Sequence, residues 1–265
     1  MAREGFIDVP GARLWFWDAE GDGAPVLLCH PASQGAEIWT HQMQALASAG
    51  FRPLAYARRG HAPTVTTDAR QAGTQVGDLL AVLDALGIAQ VHLVGAAAGG
   101  GVAMRFVAAH GARVRSLVLA GSIVSPSEPD WREIYARLGI AAVKAHVPVE
   151  FIELGPSYRA SNPAGTKRFA ELSAQALATG IVAQPAGFDL TWADMERTTC
   201  PVLLVAGEAD LYAPPPLMRL LAGHLPGHAF VTLPEIGHAP FWEAPDAFNR
   251  LLIDFLSGQP ASRGG

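Results

Sequence analysis

Residues 91–104 read VHLVGAAAGGGVAM. An apolar run ends in glycine and a small-residue segment of helical composition follows, so the stretch predicts a buried strand turning sharply into a helix. Gly95 and Gly99 bracket the turn, and Ala97 lies midway between them. The midway residue of such a turn sits in strained backbone geometry, and its neighbours must lack bulk for strand and helix to approach. The helix N-terminus then aims N–H groups and a positive dipole end at the turn. This is the G-x-S-x-G spacing that presents a nucleophile, with alanine in place of the hydroxyl.

Outward from that turn, short apolar runs alternate with longer helix-patterned segments, the signature of a mostly parallel sheet covered on both faces. The strand candidates are Pro25–Cys29, 52–57, 91–95, Val114–Ala120, 201–206 and 229–233, and residues 5–18 read as an antiparallel hairpin at the sheet edge. Helices are expected over 68–86, 99–110, 216–225 and 244–256. From 123 to 189 no strand pattern appears, only helical pieces separated by Pro and Gly, which predicts a helical cap over one end of the sheet. The expected organisation is an α/β core at 1–122 and 190–257, the cap at 123–189, and a disordered Gly/Ser/Pro-rich tail at 258–265.

The composition bounds the function classes. With 265 residues, 50% of them hydrophobic, the chain can fill one substantial core. A net charge of −5 gives no electrostatic reason to expect nucleic acid or an anionic membrane as partner. No apolar run of about 18 residues is present, and the N-terminus lacks a signal-peptide pattern, so a cytoplasmic location is expected. Cys29 and Cys200 lie in or beside apolar runs and read as buried free thiols. The histidines outside the motifs show no ligand spacing, so no metal and no cofactor is expected. The expected partner is a small-molecule substrate, with the chain acting as a monomer or homodimer.

Three further stretches complete a constellation. LLCHPASQGAEIW (27–39) places a His-Pro turn after a strand, PVLLVAGEADLYAPP (201–215) places Asp210 just past a strand end, and LPEIGHAPFWEAP (233–245) places His238 after the last strand. A hydroxyl nucleophile needs a neutral imidazole to take its proton and a carboxylate to fix that imidazole's tautomer. Slot, acid and base in that chain order, together with AYARRGHAPT (55–64) and GHAPFWEAPDAFN (237–249), resemble the α/β-hydrolase fold superfamily, in particular its small capped esterases, lactonases and C–C bond hydrolases. The resemblance covers about residues 5–257 and is weakest in the cap. It implies an eight-stranded, mostly parallel sheet with helices on both faces. It also implies Ala97 in the nucleophile position, Asp210 as acid and His238 as base, with the N–H groups of Ala32 and Ala98 as the oxyanion hole. Ala57, Ala62 and Pro31 depart from the family's frequent Asp, Gly and Gly.

Ser33, Gln34, Tyr158, Arg159 and Trp192 are candidates to line the substrate pocket, each weighed against a packing role. Arg58 could meet a substrate carboxylate, whereas Arg59 reads as a brace for its loop. Two explanations of Ala97 stand. In the first, favoured because the remaining machinery is complete, the chain is a deliberate serine-to-alanine variant of an ester or lactone hydrolase, catalytically dead and made to trap substrate. In the second the alanine is natural, and the protein binds a ligand or uses His238 as a base without a covalent step. C–C cleavage of a vinylogous diketone acid is the alternative enzyme chemistry, and it requires a cationic subsite from Arg58 or Arg159.

Overall fold

Leu27 and Cys29 pack on one side of the sheet and Val26 and Leu28 on the other, and the same alternation separates Leu117 and Leu119 from Val118 and Ala120. Runs that are apolar at every position therefore supply two cores at once, which is why these strands carry no polar alternation. The computed structural model describes residues 2–144, 146–180 and 182–258. Its strands are β1 (Arg3–Val9), β2 (Ala12–Asp18), β3 (Pro25–Cys29), β4 (Arg52–Tyr56), β5 (Val65–Thr66), β6 (Val91–Ala96), β7 (Val114–Ala120), β8 (Val202–Gly207) and β9 (His228–Leu233).

The nine strands form one mixed sheet in the order β1-β2-β4-β3-β6-β7-β8-β9, with β5 paired to β2. From β4 through β9 neighbours run parallel, while β1, β2 and β5 are antiparallel additions. The expected eight strands are thus corrected to nine. The additional one, β5, is a two-residue strand, too short to show a period in the sequence. The helices Gln75–Ala85, Ala98–His110 and Pro215–Gly223 cover one face; Thr40–Ser48 and Pro245–Leu256 cover the other.

The helix expected from residue 68 begins later, at Gln75. Thr74 caps it by accepting the Gly77 N–H at 3.0 Å, and Gly73 before it sits at φ 58°. The preceding turn is held by the buried Arg59, which donates to the Gln71 carbonyl at 2.7 Å and pairs with the Asp78 carboxylate at 2.7 and 2.9 Å. Arg59 is therefore the loop brace expected of it.

Between β7 and β8 the described residues contain no strand. They fold into helices at Pro129–Arg137, Ile140–Lys144, Val149–Glu153, Pro156–Ser161, Pro163–Ala176 and Trp192–Glu196. This helical segment meets the loops that follow the parallel strands. The Ala176 carbonyl accepts the Ala62 N–H at 2.8 Å, and the Phe169 carbonyl accepts the Gln34 side-chain amide at 3.3 Å. The tail expected to be disordered lies outside the described residues, apart from Gly258.

Strand, turn and helix meet without room for a methyl group at Gly99, where a Cβ would fall 2.1 Å from the Cys29 carbonyl oxygen. Gly99→Ala should lower stability by about 2 kcal/mol or more, because backbone must shift on both sides. Gly223→Ala, at a helix position with no atom within 4 Å of the new carbon, should be neutral or stabilising by up to about 1 kcal/mol. Denaturant midpoints of the two variants measure the contrast.

Candidate active site

Ala97 adopts φ 48° and ψ −120° between β6 and the helix Ala98–His110. For a residue with a Cβ this backbone costs on the order of 1–3 kcal/mol, so surrounding contacts must impose it. Its N–H donates to the Ala120 carbonyl at 3.1 Å, and its own carbonyl accepts from Ile123 at 3.0 Å and Gly100 at 3.1 Å. A Cβ on Gly95 would fall 2.6 Å from Gly100 Cα. Gly95 is thus required by the close crossing of strand and helix, and Gly99 by the Cys29 and His30 carbonyls. The N–H groups of Ala98 and Gly99, the first two of the helix, have no acceptor within it.

Gly121, the residue after β7, packs against Asp210 and His238, and its neighbour Ala120 accepts the Ala97 N–H. Gly121 sits at φ 50°, and a Cβ there would lie 2.7 Å from the His238 carbonyl oxygen and 3.2 Å from Asp210 Oδ2. Asp210 is held by an Asx turn, its Oδ1 accepting the Tyr212 and Ala213 N–H groups at 2.7 and 2.9 Å. His238 Nδ1–H donates to the same carboxylate, 3.0 Å from Oδ1 and 2.9 Å from Oδ2. That bond fixes the tautomer and leaves Nε2 as the nitrogen able to take a proton. Both side chains are buried.

The His-Pro turn is built from neutral histidines and one buried cation. His30 Nδ1–H donates to the Pro31 carbonyl at 2.7 Å, which fixes the Pro31–Ala32 peptide plane and turns the Ala32 N–H to its opposite edge. His30 Nε2 accepts the Arg58 N–H at 3.0 Å, and His61 donates through Nε2 to the Ala32 carbonyl at 2.8 Å. Burial, then the charge of Arg58, holds both imidazoles below the ordinary range. The Arg58 guanidinium is buried and donates to the His30 carbonyl at 3.0 Å. It is committed beneath the turn.

Ser33 and Gln34 lie at this turn. The Ser33 hydroxyl donates to Glu153 at 2.7 Å, and Gln34 is fully buried. Three candidates have other partners. Tyr158 accepts from the Asn162 side chain at 3.2 Å. Arg159 is half-buried, lies 4.4 Å from the Phe151 ring and lines a cavity of about 590 Å³. Trp192 stacks on His224 at 4.1 Å and donates to Asp130 at 3.1 Å. A cavity of about 540 Å³ lined by Trp15, Trp17, His41, Arg168 and Trp242 also contains none of the acid, base or slot residues.

Two buried carboxylates were missed in the sequence. Glu243 Oε2 accepts the Gly237 N–H at 3.0 Å and the Gly155 N–H at 2.8 Å, while Oε1 accepts the Ala239 N–H at 3.2 Å. It thereby clamps both neighbours of His238 and ties them to the helical segment. Glu153 binds the same loop through its backbone, its carbonyl accepting the His238 N–H at 2.7 Å. Burial raises the pKa of both carboxyls. Glu243 stands inside the motif quoted for His238, where its spacing was readable; Glu153 falls where the pattern is least regular. For His238, burial disfavours the charge, but Asp210, Glu153 and Glu243 together outweigh it and hold the imidazole above its ordinary pKa.

Comparison with known proteins agrees with this architecture. Residues 26–251 match the model of the alpha/beta hydrolase family. The chain is 30% identical over 252 residues to the "Putative carbamate hydrolase RutD" of Caulobacter sp. (strain K31), covering 91% of this chain and 93% of that one. It superposes on a thermophilic esterase from Thermogutta terrifontis with a TM-score of 0.80 at 24% identity, over 97% of this chain and 98% of that one. Against the enol-lactonase from Burkholderia xenovorans LB400 the TM-score is 0.75 at 23% identity, over 96% and 100%. The chain belongs to the alpha/beta hydrolase family.

Glu243→Ala would strand three buried N–H groups, each costing about 1–3 kcal/mol when left unpaired. The expected result is a loss of several kcal/mol by denaturant titration, with the His238 imidazole resonances broadened or shifted. For His238 itself, imidazole NMR should show a midpoint above the ordinary value of about 6.5. A raised folded pKa stabilises fully below the unfolded pKa and ceases to do so as pH rises through the folded one. Asp210→Asn should therefore cost more stability at about pH 6 than at about pH 9.

Proposed function

We propose that residues 97, 210 and 238 are the nucleophile, acid and base positions of a hydrolase acting on small carboxylic esters, lactones or carbamates, and that Ala97 leaves this chain without its covalent step. The observation that carries the reading is the Asp210–His238 pair, bound at 2.9 Å against Gly121, whose neighbour Ala120 anchors an alanine held at φ 48°. Neither feature is needed by a plain strand-to-helix connection, where glycine would relieve the strain.

In the serine form the Ala97 position would supply a hydroxyl, and His238 Nε2 would take its proton as the oxygen attacks the carbonyl carbon. Asp210 would hold the imidazole in place and stabilise it once charged. The N–H groups of Ala32 and Ala98 would receive the developing oxyanion, with His30 and His61 fixing the Ala32 peptides. His238 would return the proton to the leaving group, and water would then release the acyl group by the same route. With alanine in the slot, substrate can bind intact but no acyl-enzyme can form. Residues 123–189 act in this reading as the cap that encloses the substrate. The cleavage of a vinylogous diketone acid is less well supported, because Arg58 is buried against the His30 carbonyl and Arg159 donates to the Phe151 carbonyl. No helix among the described residues is long and apolar enough to cross a membrane.

The test is Ala97→Ser, which adds one oxygen at a position already shaped for it. The serine form should be labelled by a fluorophosphonate at residue 97. It should turn over p-nitrophenyl esters, lactones or carbamates at least about a thousandfold faster than the alanine chain. A folded serine form that is neither labelled nor active would overturn the proposal.

A further inference from the structure

Glu153 ends the helix Val149–Glu153 and bridges the two loops that flank the slot. Its carbonyl accepts the His238 N–H at 2.7 Å, and its carboxylate accepts the Ser33 hydroxyl at 2.7 Å, one residue past Ala32. The carboxylate thus comes from the helical segment and lies between the base loop and the oxyanion turn. A group joined to a carbonyl held between Ala32 and His238 has this carboxylate as a neighbour on both loops. The side chain is 5% exposed. An ionised carboxylate offers about four acceptor positions, and among the described residues one neutral hydroxyl serves them by hydrogen bond.

Three charges act on it: His238 and Lys144 are positive and Asp210 is negative. His238 is engaged by Asp210, and Lys144 is exposed, with its ammonium 6.0 Å from the Tyr212 ring and no ion pair to Glu153 among the described residues. An anionic substituent at Glu153 would meet the carboxylate's own charge, whereas an ammonium or N–H group would meet an acceptor in a site of low dielectric.

We propose that Glu153 is a specificity-determining residue, receiving an ammonium or N–H donor that the substrate carries within a few bonds of its scissile carbonyl. This rests on the hydrolase reading above and deepens it: the preferred substrates are amino-substituted esters, lactones or carbamates, and dicarboxylates are rejected.

The experiment compares esters matched in shape in the Ala97→Ser background. β-Alanine methyl ester is paired with methyl butyrate, 3-aminopropyl acetate with butyl acetate, and monomethyl succinate serves as the anionic member. At least one amino ester should exceed its neutral partner in kcat/KM by about tenfold, as one charge-assisted hydrogen bond implies. Glu153→Gln should abolish that excess, read as the ratio of amino to neutral ester within each variant so that any general effect on His238 cancels, and Ser33→Ala, which keeps the carboxylate, should preserve it. Amino esters favoured equally with glutamine at 153, or monomethyl succinate preferred, would overturn the proposal. If Glu153→Gln does not fold, Glu153→Met removes the charge at similar volume. Should Ala97→Ser hydrolyse none of these and also resist the fluorophosphonate, the hydrolase reading fails separately. Glu153 is then decided by NMR titration of the chain as it stands with β-alaninamide and butyramide. A preference of about tenfold for β-alaninamide, lost in Glu153→Gln, supports the subsite; equal binding overturns it.

Discussion

The start of the helix Ala98–His110 is wedged between β6, which leaves no space for a methyl group at Gly95, and the end of β3, which leaves none at Gly99. That crowding forces the residue between them into a backbone that alanine does not choose, and hydrogen bonds with Ala120, Ile123 and Gly100 hold it there. The rest of the site is arranged around this point. The carbonyls of Cys29 and His30 lie against Gly99, so the His-Pro turn cannot move without the elbow. Gly121 packs against both Asp210 and His238, so the acid and base are registered to the strand that anchors Ala97.

Around that rigid centre the structure uses buried charge as a fastener. Arg59 and Asp78 fix one loop, Arg58 fixes the His-Pro turn through His30, and Glu243 fixes the His238 loop. Each is costly to bury alone: Arg59 and Asp78 offset each other, Arg58 meets the His30 carbonyl, and Glu243 serves three backbone N–H groups. Glu153 differs, because a single hydroxyl is a poor return for burying a carboxylate. A structural role would be better served by an amide or an apolar side chain, whereas a role toward a bound donor explains the acid.

Much of this was legible in the chain because the fold writes strongly in two places. Strands buried on both faces give uninterrupted apolar runs, and the Gly-, His-, Asp- and Pro-rich stretches after them, taken together and in order, marked Asp210 and His238, which the fold brings into hydrogen-bond contact. The two-residue β5 has no period to read, and the start of the helix at Gln75 depended on a threonine cap competing with the preceding turn. The helical segment was harder for a different reason. Its helices are short and broken by Pro and Gly, so which side chain faces the slot is set by tertiary contact. Tyr158, Arg159 and Trp192 looked suitable by type, yet their partners are Asn162, Phe151 and His224. Glu153 carried no signal until the fold placed it against Ser33.

The central claim is that the alanine chain keeps the whole geometry of an acyl-transfer site except for one oxygen. A crystal structure of the Ala97→Ser chain after reaction with a fluorophosphonate tests it most directly. The account predicts phosphorus bonded to the new serine, one phosphonyl oxygen about 2.7–3.1 Å from the Ala32 and Ala98 nitrogens, and His238 Nε2 within hydrogen-bond reach of the serine oxygen. An adduct whose oxygen points away from both N–H groups, or a serine that His238 does not reach, would contradict it.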